Sequence, residues 1–143
     1  MKQIHKFSVL VLLLSLVSCA SSKKLADTDI YDTTWELEYL SGPKIAFEGL
    51  FPDRKPNISF NSDTKRVEGT ASCNGYRAEF TINGNKISFG EPGPTTMMYC
   101  GEGEKYFLNT IAKVNGYRID GKGKLHLMLD DNTIMRFKKA GNP

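Results

Sequence analysis

The sequence predicts a mainly β protein: a small antiparallel meander of about eight strands that closes into a barrel-like domain, with one α-helix. Three observations lead to this prediction. Apolar and polar residues alternate with period two from Thr34 onward, which is typical of strands with one buried face. Turn-forming residues separate these runs. Helical patterns do not recur between them, which argues against a parallel α/β sheet, and closing a meander into a barrel removes its exposed edges.

Eight segments have the pattern of strands. They cover about residues 34–40, 57–61, 66–72, 76–83, 86–90, 117–120, 124–129 and 133–138. Asn83-Gly84-Asn85 predicts a hairpin between the fourth and fifth segments, because Asn and Gly tolerate positive φ. Large apolar side chains at alternating positions are expected to fill the barrel interior. These are Trp35, Phe60, Phe80, Phe89, Leu125, Leu127 and Phe137.

A helix is predicted over about residues 102–115. The residues with helical spacing are Tyr106, Phe107, Thr110, Ile111 and Val114. Glu102 and Glu104 lie in its first turn, where the helix dipole favours negative charge. Asn115-Gly116 follows and predicts the C-terminal stop.

Residues 1–18 have the pattern of a lipoprotein signal peptide. Two lysines precede an apolar run from Phe7 to Val17, which is too short to cross a hydrocarbon core of roughly 30 Å. Leu16-Val17-Ser18-Cys19 resembles the bacterial lipobox, in which cleavage before the cysteine is coupled to lipidation of its thiol. We therefore expect lipid on Cys19. Ordinary cleavage to a soluble secreted protein is the alternative.

Cleavage before Cys19 leaves a small, polar segment over residues 19–32, which we expect to be a flexible tether to a domain at 33–139. Ala20 rather than Asp follows the cysteine, and by resemblance to enterobacterial sorting rules this favours the outer membrane, with the domain facing the periplasm. More than one acyl chain anchors a protein stably. The mature chain has 17 basic and 16 acidic side chains, so nucleic acid binding is not expected.

Cys73 and Cys100 remain after lipidation. In an exported chain such a pair usually forms a disulfide, and two unpaired thiols are the alternative. A metal site would need two more ligands at short spacing. The whole chain has only two histidines. We therefore expect no metal and no cofactor.

Two motifs surround these cysteines. Residues 69–74 contain the pattern G-x-x-x-C-N, and residues 96–100 the pattern T-x-M-x-C. Both resemble segments of the META domain, also called the HslJ-like family, and the resemblance covers about residues 32–139. It implies a small β-barrel-like domain with a helix, often exported as a lipoprotein. It also implies an association with heat-shock induction, drug tolerance or virulence, without an established catalytic mechanism.

Four residues near the cysteines are candidates for a binding surface on the barrel rim: Asn74, Tyr76, Arg77 and Met97. For Asn74 the alternative is a structural role, since Asn adopts turn conformations and bonds local backbone. For Met97 and its neighbour Met98 the alternative is flexible filling of the core.

Enzymatic chemistry is not expected. His126 is predicted on the outer face of a strand without a Cys or acidic partner beside it in sequence, and no G-x-S-x-G motif is present. We expect a non-enzymatic, lipid-anchored envelope protein that acts in envelope maintenance or in stress or drug tolerance. The alternative is a binding module for a small apolar ligand in the barrel mouth or for an envelope protein partner. A hydrolase is a third possible class of function. It would be indicated by His, Asp and Ser side chains that the fold brings together.

Overall fold

The computed structural model describes residues 30–141. Its elements, in chain order, are β1 Thr34–Leu40, α1 Phe47–Leu50, β2 Asn57–Asn61, β3 Arg66–Thr70, β4 Gly75–Asn83, β5 Lys86–Phe89, β6 Gly93–Pro94, α2 Glu102–Ile111, β7 Gly116–Ile119, β8 Leu125–Leu129 and β9 Asn132–Lys139. The predicted mainly β fold and all eight predicted strands are confirmed. The short elements α1 and β6 were not predicted.

The strands form a nearly closed antiparallel barrel. Eight of them follow the order β5-β4-β3-β2-β1-β9-β8-β7, and β6 pairs with β4 beside β5. The two outer strands of this order meet where the backbone N–H of Tyr117 donates to the carbonyl oxygen of Asn85 at 2.9 Å. Closure at this seam covers edges that would otherwise present unpaired backbone groups.

The predicted hairpin between β4 and β5 is confirmed. Asn83 pairs with Lys86, which leaves a two-residue loop of Gly84 and Asn85. Gly84 has a φ of +60°, a conformation that a residue without Cβ adopts at little cost. Positive φ at the first loop position is the geometry that matches the twist of paired strands.

Large apolar side chains fill the barrel interior. Of the seven predicted interior residues, six are buried, and Phe89 at the seam is half-buried. Trp35, Leu125, Leu127 and Phe137 have no exposed surface at all. Burying one such side chain stabilises a fold by about 1.5–3 kcal/mol. The interior of the described domain is therefore a packed core.

The folded domain begins earlier than predicted. Ile30 is fully buried, and its carbonyl oxygen accepts a hydrogen bond from the indole of Trp35 at 3.0 Å. The ring of Tyr31 packs 6.3 Å from that of Phe80. The tether predicted over residues 19–32 is therefore wrong at its C-terminal end, because these two apolar residues join the core. The signal peptide, the lipidation site at Cys19 and the rest of the tether lie outside the described residues.

Helix α2 closes one end of the barrel. Phe107 and Ile111 are fully buried, and the ring of Phe107 lies 5.2 Å from that of Tyr76. A Cβ at Gly103 would overlap the carbonyl oxygen of Leu50, so α2 crosses the end of α1 without room for a side chain there. Within residues 30–141, no helix has the length and apolar character needed to span a membrane.

The predicted helix end at Asn115-Gly116 is wrong. Helix α2 stops at Ile111, because Lys113 and Val114 donate to carbonyls only three residues back and Asn115 then bonds outside the helix. The backbone N–H of Asn115 donates to Met128, and its side chain exchanges two hydrogen bonds with Asp130. The two predicted glutamates do lie in the first turn of α2.

Candidate functional site

Cys73 and Cys100 form a disulfide, with their Cα atoms 5.5 Å apart. The bond joins the connection between β3 and β4 to the end of a loop that we call the methionine loop, residues 95–101 between β6 and α2. The predicted pairing is confirmed. It fixes the C-terminal end of the methionine loop directly before α2.

Asn74 fastens the middle of the methionine loop. Its Oδ1 accepts hydrogen bonds from the backbone N–H of Met98 at 3.0 Å and from the hydroxyl of Thr96 at 2.7 Å. Its Nδ2 donates to the carbonyl of Met98 at 2.6 Å and to Oε1 of Glu104 at 3.0 Å. The side chain is only 2% exposed. The prediction that Asn74 lies on an accessible surface is therefore wrong, and its structural alternative describes what it does.

Tyr76 is also buried, at 1% exposure. Its hydroxyl donates to the carbonyl of Asn57 at 3.1 Å, and burial raises the pKa of this hydroxyl well above its usual value. The prediction of a surface role is wrong. The alternation along β4 that points Ala78 and Phe80 inward points Tyr76 inward as well, so the strand pattern already contained this information.

Arg77 and Met97 are exposed, as predicted. Arg77 donates to Glu68 at 2.9 Å across the strand pair, and both side chains are more than half exposed, so this pair contributes little to stability. Met97 is 93% exposed, and Met98 and Tyr99 beside it are 61% and 88% exposed. The two methionine side chains therefore do not fill the core.

A cleft of about 850 Å³ lies beside the methionine loop. Residues 45–54, which include α1, form one wall, and residues 98–103 form the other. Ile45, itself 52% exposed, adds to the apolar surface of Met98 and Tyr99. Contiguous exposed apolar side chains of this kind mark interaction sites more often than scattered ones do.

His126 is the centre of a second polar cluster. It lies on the outer face of β8, as predicted, but is only 6% exposed, and the fold gives it an acidic partner that is not adjacent in sequence. Its Nε2 is 3.0 Å from Oδ2 of Asp120, which the β7–β8 hairpin folds back onto it. Its Nδ1 is 3.1 Å from the hydroxyl of Thr133 and 3.3 Å from the guanidinium of Arg118.

The hydrogen bonds of this cluster assign its protons. Backbone N–H groups of Lys124 and Lys122 and the His126 ring lower the pKa of Asp120 well below its usual value. The carboxylate of Asp120 therefore accepts the Nε2 proton, which leaves the Nδ1 lone pair of His126 for Thr133 or Arg118. The order Asp–His–hydroxyl resembles that of a hydrolytic triad, with Thr in the place of Ser.

Glu38 on β1 links two cations on the outer face of the barrel. Lys124 donates to its two carboxylate oxygens at 2.7 and 2.9 Å, and Arg136 donates at 2.5 Å. Burial raises the pKa of Glu38, but the bonds from the two cations outweigh it, and the pKa is lowered overall. This cluster joins positions 86 and 98 residues apart in sequence, so strand patterns gave no sign of it.

The carboxylate of Glu104 lies next to the disulfide. One of its oxygens and the two sulfur atoms are all within 4.8 Å of one another. Oε1 is bonded to Asn74, whereas Oε2 is buried and has no hydrogen-bond partner. A thiolate is the form of Cys that binds metals, so the oxidised pair does not offer a metal site.

The comparisons with known proteins agree with this architecture. A scan against protein families matches residues 28–142 to the META domain. An NMR structure of a protein from Burkholderia xenovorans shares the fold, with a TM-score of 0.59 and 22% identity over 79% of this chain and 85% of that one. A crystal structure of a DUF4847 family protein from Bacteroides vulgatus has a TM-score of 0.54 and 12% identity over 79% and 94%. A search of curated proteins found no match.

Proposed function

Because the chain belongs to the META domain family, we propose that it is a non-enzymatic, lipid-anchored protein of the bacterial cell envelope that acts in envelope maintenance or in stress or drug tolerance. Its lipid lies on Cys19 in the outer membrane, and its domain faces the periplasm. The domain acts by binding an envelope protein through the methionine loop and the cleft beside it.

The sequence supports the anchor. The lipobox ends at Cys19, and Ile30 is the first buried residue in the part of the chain that the structure describes. The ten residues between them let Ile30 lie at most roughly 40 Å from Cys19 when extended. A domain on such a tether reaches partners near the membrane surface while more than one acyl chain holds it there.

The observation that carries the proposal is the run of three exposed side chains at Met97, Met98 and Tyr99. Met and aromatic residues are enriched in protein interfaces, and Met adapts its shape to a partner. The disulfide and Asn74 hold the backbone of this loop, which reduces the entropy lost on binding. Side chains fill the barrel core, so under the alternative proposal a small apolar ligand would bind in the open cleft instead.

The test uses the full-length, anchored protein in a strain whose deletion mutant is sensitive to an envelope stress. We expect the double variant Met97→Ser, Tyr99→Ser to lose protection while its melting temperature stays unchanged. Leu129→Ser is the matched control, because it changes an apolar side chain that is 37% exposed and lies outside the methionine loop. This variant should protect fully. If the double variant protects as well as the parent protein does, the proposal is contradicted. Cys19→Ala should abolish labelling by a fatty acid, which tests the anchor separately.

A hydrolase is the second candidate function, and the Asp120–His126–Thr133 arrangement is the observation in its favour. A fluorophosphonate probe tests it directly. Covalent labelling of Thr133 that disappears in His126→Gln would establish the enzyme and overturn the non-enzymatic proposal. We expect no labelling, because Arg118 also donates to Nδ1 and competes with the hydroxyl for the lone pair that a general base needs.

A further inference from the structure

Glu104 carries a buried carboxylate oxygen that has no donor. Its Oε1 is bonded to Asn74, but Oε2 is unpartnered. Burying a polar atom without a hydrogen bond is costly, and more so for a charged group. The carboxylate lies beside the sulfur atoms of Cys73 and Cys100. In the oxidised protein these sulfurs carry no hydrogen and donate nothing.

We infer that the Cys73–Cys100 pair is a thiol–disulfide exchange site for dithiol partners, and that Glu104 stabilises its reduced form. Reduction creates S–H donors beside the carboxylate of Glu104, and one of them would supply the hydrogen bond that Oε2 lacks. The carbonyl of Met98 lies 3.4 Å from the sulfur of Cys100. It already accepts a hydrogen bond from Asn74 at 2.6 Å, which leaves Oε2 of Glu104 as the acceptor without a bond.

The exposure of the two sulfur-bearing residues sets the order of the exchange. Cys73 is exposed and Cys100 is half-buried, so a thiolate of the partner attacks the sulfur of Cys73. The bond between the two sulfurs breaks, and Cys100 leaves as a thiolate that takes a proton from water. The carboxylate of Glu104 beside this sulfur opposes a lasting negative charge there and therefore favours the protonated thiol.

The second thiolate of the partner then attacks the mixed disulfide and releases Cys73, which is protonated in turn. The partner's two thiols lose two electrons and become a disulfide, and the Cys73–Cys100 pair gains those electrons. The protons that the partner's thiols release to water balance those that the two cysteines take up. Asn74 still holds Thr96 and Met98 in the reduced state, so the two thiols stay close enough to reclose.

The test measures the equilibrium between the oxidised and reduced pair. The full-length protein, purified in detergent, is equilibrated in dithiothreitol redox buffers, quenched by alkylation and analysed by mass spectrometry. Glu104→Gln keeps a side-chain oxygen for Asn74 but replaces Oε2 with an amide nitrogen, which does not accept an S–H. Glu102→Gln removes the same charge from the same helical turn and is the matched control.

We expect Glu104→Gln to lower the equilibrium constant for reduction about tenfold, which corresponds to about 30 mV for a two-electron couple. Glu102→Gln should behave like the parent. In Cys100→Ser, oxidised glutathione should form an adduct on Cys73. Equal constants for the parent and Glu104→Gln would overturn the role of Glu104. Reduction of the parent only after denaturation would show that the disulfide is purely structural and overturn the exchange site.

Discussion

The side-chain oxygen of Asn74 accepts a hydrogen bond from the backbone N–H of Met98, at 3.0 Å. The methionine loop has no strand ladder of its own, so its backbone groups need partners from elsewhere. Asn74 supplies them to both the N–H and the carbonyl of Met98. The buried amide of Asn74 thus satisfies backbone groups of this loop, as a neighbouring strand satisfies those of a strand in a sheet.

Removal of this amide should be costly. We expect Asn74→Ala to lower the free energy of unfolding by about 2–4 kcal/mol, because it breaks four partly buried hydrogen bonds and leaves their partners unsatisfied. Urea denaturation measures the loss. Arg77→Ala, at an exposed position on the adjacent strand, should change the free energy by no more than about 0.5 kcal/mol. An equal urea midpoint for Asn74→Ala and the parent would show that the loop does not depend on Asn74.

The ring and the hydroxyl of Tyr76 should contribute separately to stability. Tyr76→Phe removes the bond to Asn57 and is expected to cost about 1 kcal/mol. Tyr76→Ala also empties the space beside Phe107 and should cost about 3–5 kcal/mol. Thermal and urea unfolding of the two variants give both values. A Tyr76→Ala variant as stable as Tyr76→Phe would contradict the packing of the ring in the core.

The ion cluster at Glu38 should make stability depend on pH. Its pKa is lower in the folded protein than in the unfolded chain, so its contribution is complete above about pH 4.3 and is lost as the pH falls further. Glu38→Gln is expected to cost about 1 kcal/mol at pH 7, with a smaller cost at pH 3. Urea unfolding at both pH values measures the difference. The exposed Glu79, changed to Gln, is the control and should have little effect at either pH.

Short-range sequence patterns were enough to predict the strands, but not to predict the contacts of the candidate site. Period-two alternation and turn residues act within a few positions, so the eight main strands were predictable from the sequence. Helix α1 has only four residues, of which Leu50 is buried in the core. It is too short to show a helical periodicity in the sequence. The contacts of Asn74 with Met98 and Glu104 join residues 24 and 30 positions apart, which only the folded chain brings together.

The cluster at His126 was closer to being predictable. The predicted strands over residues 117–120 and 124–129 leave a short turn between them, and a hairpin there pairs Arg118 with His126. Asp120 then lies at the start of the turn, within reach of the ring. Extending the strand pairing by one step would have named both partners.

Gly69, the first residue of the G-x-x-x-C-N motif, has a packing role that a single methyl group should test. A Cβ at this position would overlap the carbonyl oxygen of Asn57. The same Asn57 binds the backbone N–H of Thr70 through its side chain at 3.0 Å and the hydroxyl of Tyr76 through that carbonyl at 3.1 Å. Backbone cannot yield as a flexible side chain does, so the strands must shift to admit the methyl.

We therefore expect Gly69→Ala to lower the free energy of unfolding by about 1–3 kcal/mol, as overpacking does. Gly93→Ala is the matched control, since a Cβ at Gly93 meets nothing within 4 Å. That variant should be neutral or slightly stabilising, because Ala restricts the unfolded chain. Urea unfolding of the two variants decides the matter. If both are equally stable, the glycine of the motif is not required for the approach of Asn57, and its place in the motif needs another physical cause.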